Sequence, residues 1–150
     1  MNDYAIEELL PHAGSMMLLK RVIAFDENSM TTEVIVHNDA LFGDSNAVPA
    51  WLGIEYMAQT VAAHSGMMCR IAGKPLQPGL LLGTRRYYCN VGRFSAGAVL
   101  TVTVKRLIQD QGLGVFDCDI SAEGISASAK LNVYQPDSAV NRAITDLRKQ

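Results

Sequence analysis

Glu55 is the only acidic residue between Asp44 and Asp110, and it lies inside the apolar run G-I-E-Y-M-A-Q. Taking an unpaired carboxylate out of water costs several kcal/mol, so a carboxylate in such surroundings needs a reason. Two readings are open. Glu55 is either a helix-start residue favoured by the dipole and turned to water, or a catalytic carboxylate whose proton affinity is raised by apolar walls. Gln59 follows four residues later on the same helical face, where it can orient Glu55 or bond across a subunit interface. Three histidines, His12, His37 and His64, are the candidate bases. His64 lies nine residues beyond Glu55, about 13 Å along a helix axis, too far to share a proton path within one subunit. The sequence holds no Gly-rich phosphate loop, no metal-ligand spacing and no Ser-His-Asp arrangement. No cofactor and no metal are expected.

The segment that carries Glu55 is rich in Ala, Met, Leu and Gln and free of proline, which predicts one long helix over 51–71. Ala72-Gly73-Lys74-Pro75 closes it. The helix is apolar nearly all round and must be buried on most faces. Strands surround it in the sequence. Leu18–Asp26 and Thr31–His37 read as a hairpin about the turn Asp26–Ser29, with His37 at its end beside the polar loop Asn38–Pro49. Leu80–Asn90 reads as a strand, with Arg93 in the turn that follows. Beyond it, Leu100, Val102 and Val104, then Phe116, Cys118 and Ile120, then Ile125, Ala127, Ala129, Leu131 and Val133 alternate with polar partners. Gln111-Gly112 and Glu123-Gly124 mark the turns. Residues 1–12 suggest a short helix stopped near Pro11, and Ser138–Gln150 a short polar one.

One long helix and about six antiparallel strands make an α+β hot-dog fold the simplest architecture: one antiparallel sheet wrapped around one central helix, as a single domain over 1–150. Such a sheet leaves an edge open, and a dimer or higher oligomer with a continuous sheet is its natural closure.

Composition narrows the function classes. At 150 residues, with 49% apolar and 19% charged residues, the chain can bury a real core and is no disordered tail. A net charge of -2 argues against a nucleic-acid binder. Cys69, Cys89 and Cys118 form no Cys-x-x-Cys pair, which suits a reducing cytoplasm. No signal peptide is legible. The most apolar stretch, Trp51–Met68, carries Glu55, Gln59 and His64 and makes a poor membrane span.

Two long runs carry a family resemblance. L-P-H-A-G-S-M-M-L-L-K-R-V, residues 10–22, resembles the L-P-H-x-x-P-x-L-L-V-D-R-V opening of the 3-hydroxyacyl-[acyl carrier protein] dehydratases. V-P-A-W-L-G-I-E-Y-M-A-Q, residues 48–59, resembles their V-M-P-G-V-L-x-x-E-x-M-A-Q, and Asn38-Asp39-Ala40-Leu41-Phe42 their N-E-P-F-F. The likeness covers the first half of the chain, and the second half agrees only as a strand pattern. A closer resemblance is to the divergent dehydratases of aryl polyene biosynthesis, through E-Y-M-A-Q-T, Leu82-Gly83-Thr84-Arg85 and Tyr134-Gln135-Pro136. The departure is in the loop before the helix. The family has G-H-F-P-G there, with the catalytic His. Here the loop reads F-G-D-S-N-A-V-P, with Leu41 or Ser45 at that position.

The resemblance implies elimination of water from a 3-hydroxyacyl thioester. That reaction needs a base at Cα, an acid for the departing hydroxyl and donors on the thioester carbonyl. Glu55 is then the acid. His12 is the favoured base, because its L-P-H segment is expected to line the acyl tunnel. The N–H groups near Ala50–Gly53 would hold the carbonyl, and Gln59 and Trp51 would line the substrate. Between Arg70 and Arg106 the chain has seven Lys or Arg and no acid. Arg85 and its neighbours are either plain exposed charge or a docking rim for an acyl carrier protein and its phosphopantetheine arm. The rival readings are a hot-dog acyl-carrier or acyl-CoA thioesterase, and a non-catalytic acyl-binding partner subunit.

Overall fold

In the computed structural model, residues 5–10, 17–37, 46–76 and 79–134 are described, Leu80 by its backbone alone. Period-two alternation builds the sheet. β1 (Arg21–Phe25), β2 (Ser29–Ile35), β4 (Leu80–Cys89), β6 (Val99–Asp110), β7 (Leu113–Ala122) and β8 (Ile125–Tyr134) form one antiparallel sheet in the order β1-β2-β6-β7-β8-β4. Its register places apolar side chains in rows across the strands. Thr32 faces Val102, Val102 faces Ile120, and Ile120 faces Ala127, all of them buried. The rows one residue away face outward, where Lys130 is hydrogen-bonded to Asp117 at 2.6 Å.

Helix α1 (Leu52–Ile71) lies across the inner face, closest to β2 and β6. Leu52, Tyr56, Met57, Val61, Ala63 and Met67 are its buried apolar residues, in one core with Met30, Leu100 and Phe116. Each large side chain buried in this way contributes roughly 1.5–3 kcal/mol. The helix is indeed buried on most faces. Its outward stripe, Trp51, Glu55, Ala58, Ala62 and Ser65, keeps solvent contact. Gly73, at φ 69°, ends the helix where the sequence placed the stop. This one helix on an antiparallel sheet is the α+β hot-dog fold.

The differences are local. The expected N-terminal helix is, among the described residues, a 3-10 turn at Ile6–Glu8, and Pro11 and His12 lie outside them. The segment Ser138–Gln150 also lies outside them. Two strands were not legible: β3 (Ala47–Pro49), at the end of the expected loop, pairs with β5 (Arg93–Ser95) in a small second sheet. Arg93 therefore begins a strand and is not in a turn. Three residues carry too little alternation to register as a strand.

Gly66 sits where α1 crosses the Leu9 backbone, and a Cβ there would fall onto the Leu9 carbonyl. Alanine normally gains about 1 kcal/mol over glycine inside a helix. Gly66→Ala is expected to reverse that sign and lose roughly 1–3 kcal/mol, the usual cost of overpacking. Urea unfolding checks this, and an unchanged or raised midpoint would show that the Leu9 segment yields freely.

Candidate active site

Glu55 projects from the first turn of α1, on the outward stripe, and is exposed in the single chain. Among the described residues nothing supplies the expected apolar walls, because helix rotation turns position 55 away from the sheet while Tyr56 and Met57 face it. The spacing to Gln59 does what helical geometry allows. Gln59 Nε2 donates to Glu55 Oε1 at 3.0 Å, and Gln59 Oε1 accepts the Leu18 N–H at 2.9 Å. Both ends of the Gln59 amide are thereby occupied, and the carboxylate is tied to the segment entering β1. Leu18 in turn lines a cleft of about 520 Å³, together with Leu19, Lys20, Val36 and His37.

The histidines separate. His64 is buried at 2% exposure, and its Nε2 lies 3.1 Å from both the Asp26 and the Glu27 carbonyl oxygens. It holds the β1–β2 turn, which Arg106 also holds by donating through its amide to Asn28 O and through Nη2 to Asn28 Oδ1. Its ring packs edge-on against Phe116. That commitment removes His64 from the set of bases. His37 is exposed at the rim of the cleft. His12 lies outside the described residues.

The proposed backbone donors are partly used up. The Ala50 N–H donates to Gly92 O at 3.0 Å, and the Gly53 N–H to Ala50 O at 3.0 Å. Among the described residues nothing accepts the Trp51 or Leu52 N–H, so the orphan amides of this helix end are those two and not Ala50 and Gly53. Trp51, expected to line the substrate, is 60% exposed at the helix start. Arg85 stands opposite Lys130 in the register, on the face turned away from α1, so the fold does not bring it beside Glu55. Cys118 faces the core, and burial pushes its thiol up to about 12, which leaves it a packing group and no nucleophile.

The described residues assemble a hot-dog sheet with a carboxylate in the first turn of its central helix. The family follows from comparison. The chain belongs to the ApeP-like family, whose description reads ApeP dehydratase, matched over residues 4–145. It is a member of a dehydratase family, and its reaction class is removal of water. The dehydratase heterocomplex ApeI:P from Xenorhabdus doucetiae contains a chain 30% identical to this one, with 96% of this chain and 99% of that chain covered at a TM-score of 0.81. The PaaI protein of the phenylacetic acid degradation operon of E. coli is 16% identical at a TM-score of 0.58, covering 76% and 81% of the two chains. Thioesterase superfamily member 2 from Mus musculus is 12% identical at 0.56, covering 77% and 80%. These last two share the fold. No curated protein matches the chain. No helix among the described residues is long and apolar enough to cross a membrane.

Burial lowers the pKa of His64 below its ordinary 6.5, ahead of the opposing pull of the Asp26 and Glu27 carbonyls. The folded chain then binds fewer protons than the unfolded chain over the window beneath 6.5. Stability is complete above that value and is lost as the pH falls through the lower, folded-state pKa. The melting temperature is expected to drop between pH 7 and pH 5, and His64→Gln should flatten that slope. Equal slopes in the two proteins would mean that another group carries the dependence.

Proposed function

We propose that this chain removes water from 3-hydroxyacyl thioesters carried on the phosphopantetheine arm of an acyl carrier protein, giving the 2-enoyl thioester, in a polyketide-like aryl polyene pathway. The observation that carries the reading is the Leu18–Gln59–Glu55 hydrogen-bond line. It holds one carboxylate in a fixed pose at the start of the central helix, next to the segment that lines the cleft. Glu55 is the acid that protonates the departing hydroxyl. His12 is the base that takes the Cα proton, and His37, at the cleft rim, is its rival. The Trp51 and Leu52 amides hold the thioester carbonyl as enolate charge develops. The whole chain, 1–150, works as one hot-dog unit in the cytoplasm without a cofactor.

A second chain completes the site. β4 is a sheet edge, and Leu81, Leu82 and Tyr88 on it are 46%, 58% and 63% exposed. Leu81 stands opposite the buried Val133, on the helix side of the sheet, and still meets solvent. Such an edge calls for pairing. The 30%-identical relative comes from a heterocomplex, and this chain's partner is either a second copy or a chain of that kind. The association should bury on the order of 1,200 Å² or more and supply the cover that Glu55 lacks. Arg85 and Arg86, exposed on the outer side of β4, form a rim for the acidic carrier protein.

The deciding assay incubates the protein, in the assembly it forms, with a 3-hydroxyacyl carrier protein and follows enoyl product against free thiol. Enoyl supports the dehydratase, free thiol would mean a thioesterase, and neither would mean a binding subunit. Glu55→Gln is expected to abolish turnover with stability within about 0.5 kcal/mol of wild type, as for an exposed position. His12→Ala should lower the chemical rate by about 10²–10⁴-fold, the range for one general base. If His37→Ala has that effect and His12→Ala has none, the base is His37.

A further inference from the structure

The strand β4 carries a bulge that aims one side chain at the helix. Arg85 stands opposite Lys130 and Tyr88 opposite Ser128, so Arg86 and Tyr87 together face the single residue Ala129. Arg86 absorbs the extra residue in a left-handed conformation, φ 55°, which costs a non-glycine residue energy. Its reward is the direction of Tyr87. The flanking Arg85 and Tyr88 point outward, and Tyr87 turns in to donate its hydroxyl to the Ala50 carbonyl. That carbonyl also accepts the Gly53 N–H and so closes the first turn of α1.

Gly53 fits the same arrangement from the helix side. A Cβ at position 53 would run into Tyr87 Oη, with the Ile120 Cδ1 at 3.0 Å and the ring Cζ at 3.3 Å. The space that glycine leaves is filled by the tyrosine hydroxyl. Three independent features therefore converge on one contact: a strained bulge, a glycine inside a helix, and a part-buried hydroxyl bonded to the helix start.

We propose that Tyr87 is a positioning residue, which sets the pose of the first turn of α1 and with it the Glu55 carboxylate that projects from that turn. This rests on the dehydratase reading, in which Glu55 acts on the substrate. Tyr87 acts through the Ala50 carbonyl and not on the substrate, since Gly53 and Glu55 lie on different sides of the helix. Apolar packing holds α1 against the sheet without direction, and the tyrosine adds a directional bond at the end where the chemistry is placed. An error of about 1 Å in such a group is enough to cost two orders of magnitude in rate.

The test is Tyr87→Phe, which keeps the ring and removes the bond. Amide exchange at residues 53–56 is expected to speed up about three- to tenfold, as for one lost hydrogen bond. Turnover number for the 3-hydroxyacyl carrier substrate should fall about 10- to 100-fold, with KM and the melting temperature little changed. Gly53→Ala should impair folding and turnover, and Tyr87→Phe added to it should recover part of the lost melting temperature, because the clashing hydroxyl is gone. Unchanged exchange in Tyr87→Phe would overturn the proposal, and so would faster exchange with a wild-type turnover number. If Tyr87→Phe does not fold, wild-type exchange at residues 53–56 decides: protection supports the hold, and free exchange removes it. A wild-type protein without turnover in the assembly it forms sinks the dehydratase reading instead, and Tyr87's hold on the turn then stands or falls on exchange alone.

Discussion

Everything in this molecule depends on the inner face of α1 being buried against one antiparallel sheet. A period of 3.6 on the helix meets a period of two on the strands, and the match places Tyr56, Met57 and Met67 over the Thr32–Val102–Ile120–Ala127 row and its neighbours. That burial is strong and non-directional. It keeps the helix on the sheet but does not choose its rotation or its height. Directional contacts do. Thr32 and Thr60 share a hydrogen bond of 2.8 Å inside the interface, and Thr60 donates on to the Tyr56 carbonyl. His64 fastens the middle of the helix to the β1–β2 turn, Gln59 fastens it to Leu18, and Tyr87 fastens its start to β4.

The same constraint leaves the site open. A helix that commits one side to the sheet turns the other outward, and Glu55 and Trp51 are on that outer stripe. The β4 edge, with Leu81 and Leu82 uncovered, is open in the same way, and the partner chain proposed above would cover both. The polar residues divide accordingly. Those under the helix, Thr32, Thr60 and His64, are satisfied within the chain and serve the fold. Those along its outer stripe carry the chemistry proposed for it.

Much of this was legible in the residues. The alternation from Leu100 to Val133 and the proline-free run from Trp51 to Ile71 determined the strands and the helix, because those patterns are local and each residue's neighbours in sequence are its neighbours in the element. The Glu55–Gln59 pair was equally legible, since a helix fixes positions four apart without help from the rest of the chain. The runs at residues 10–22 and 48–59 carried the family. The tertiary structure alone decided which side of α1 faces out, and so turned Glu55 from a walled carboxylate into an uncovered one. It alone committed His64 to two carbonyls nearly forty residues away, used up the Ala50 and Gly53 amides, and sent Arg85 to the far face. Tyr87 is the plainest instance. In the run R-R-Y-Y nothing distinguishes it from Tyr88, because its direction is set by one extra residue against Ala129 and its partner lies across the fold at Ala50. Contacts between residues far apart in sequence leave no period behind them, and only the packed chain decides them.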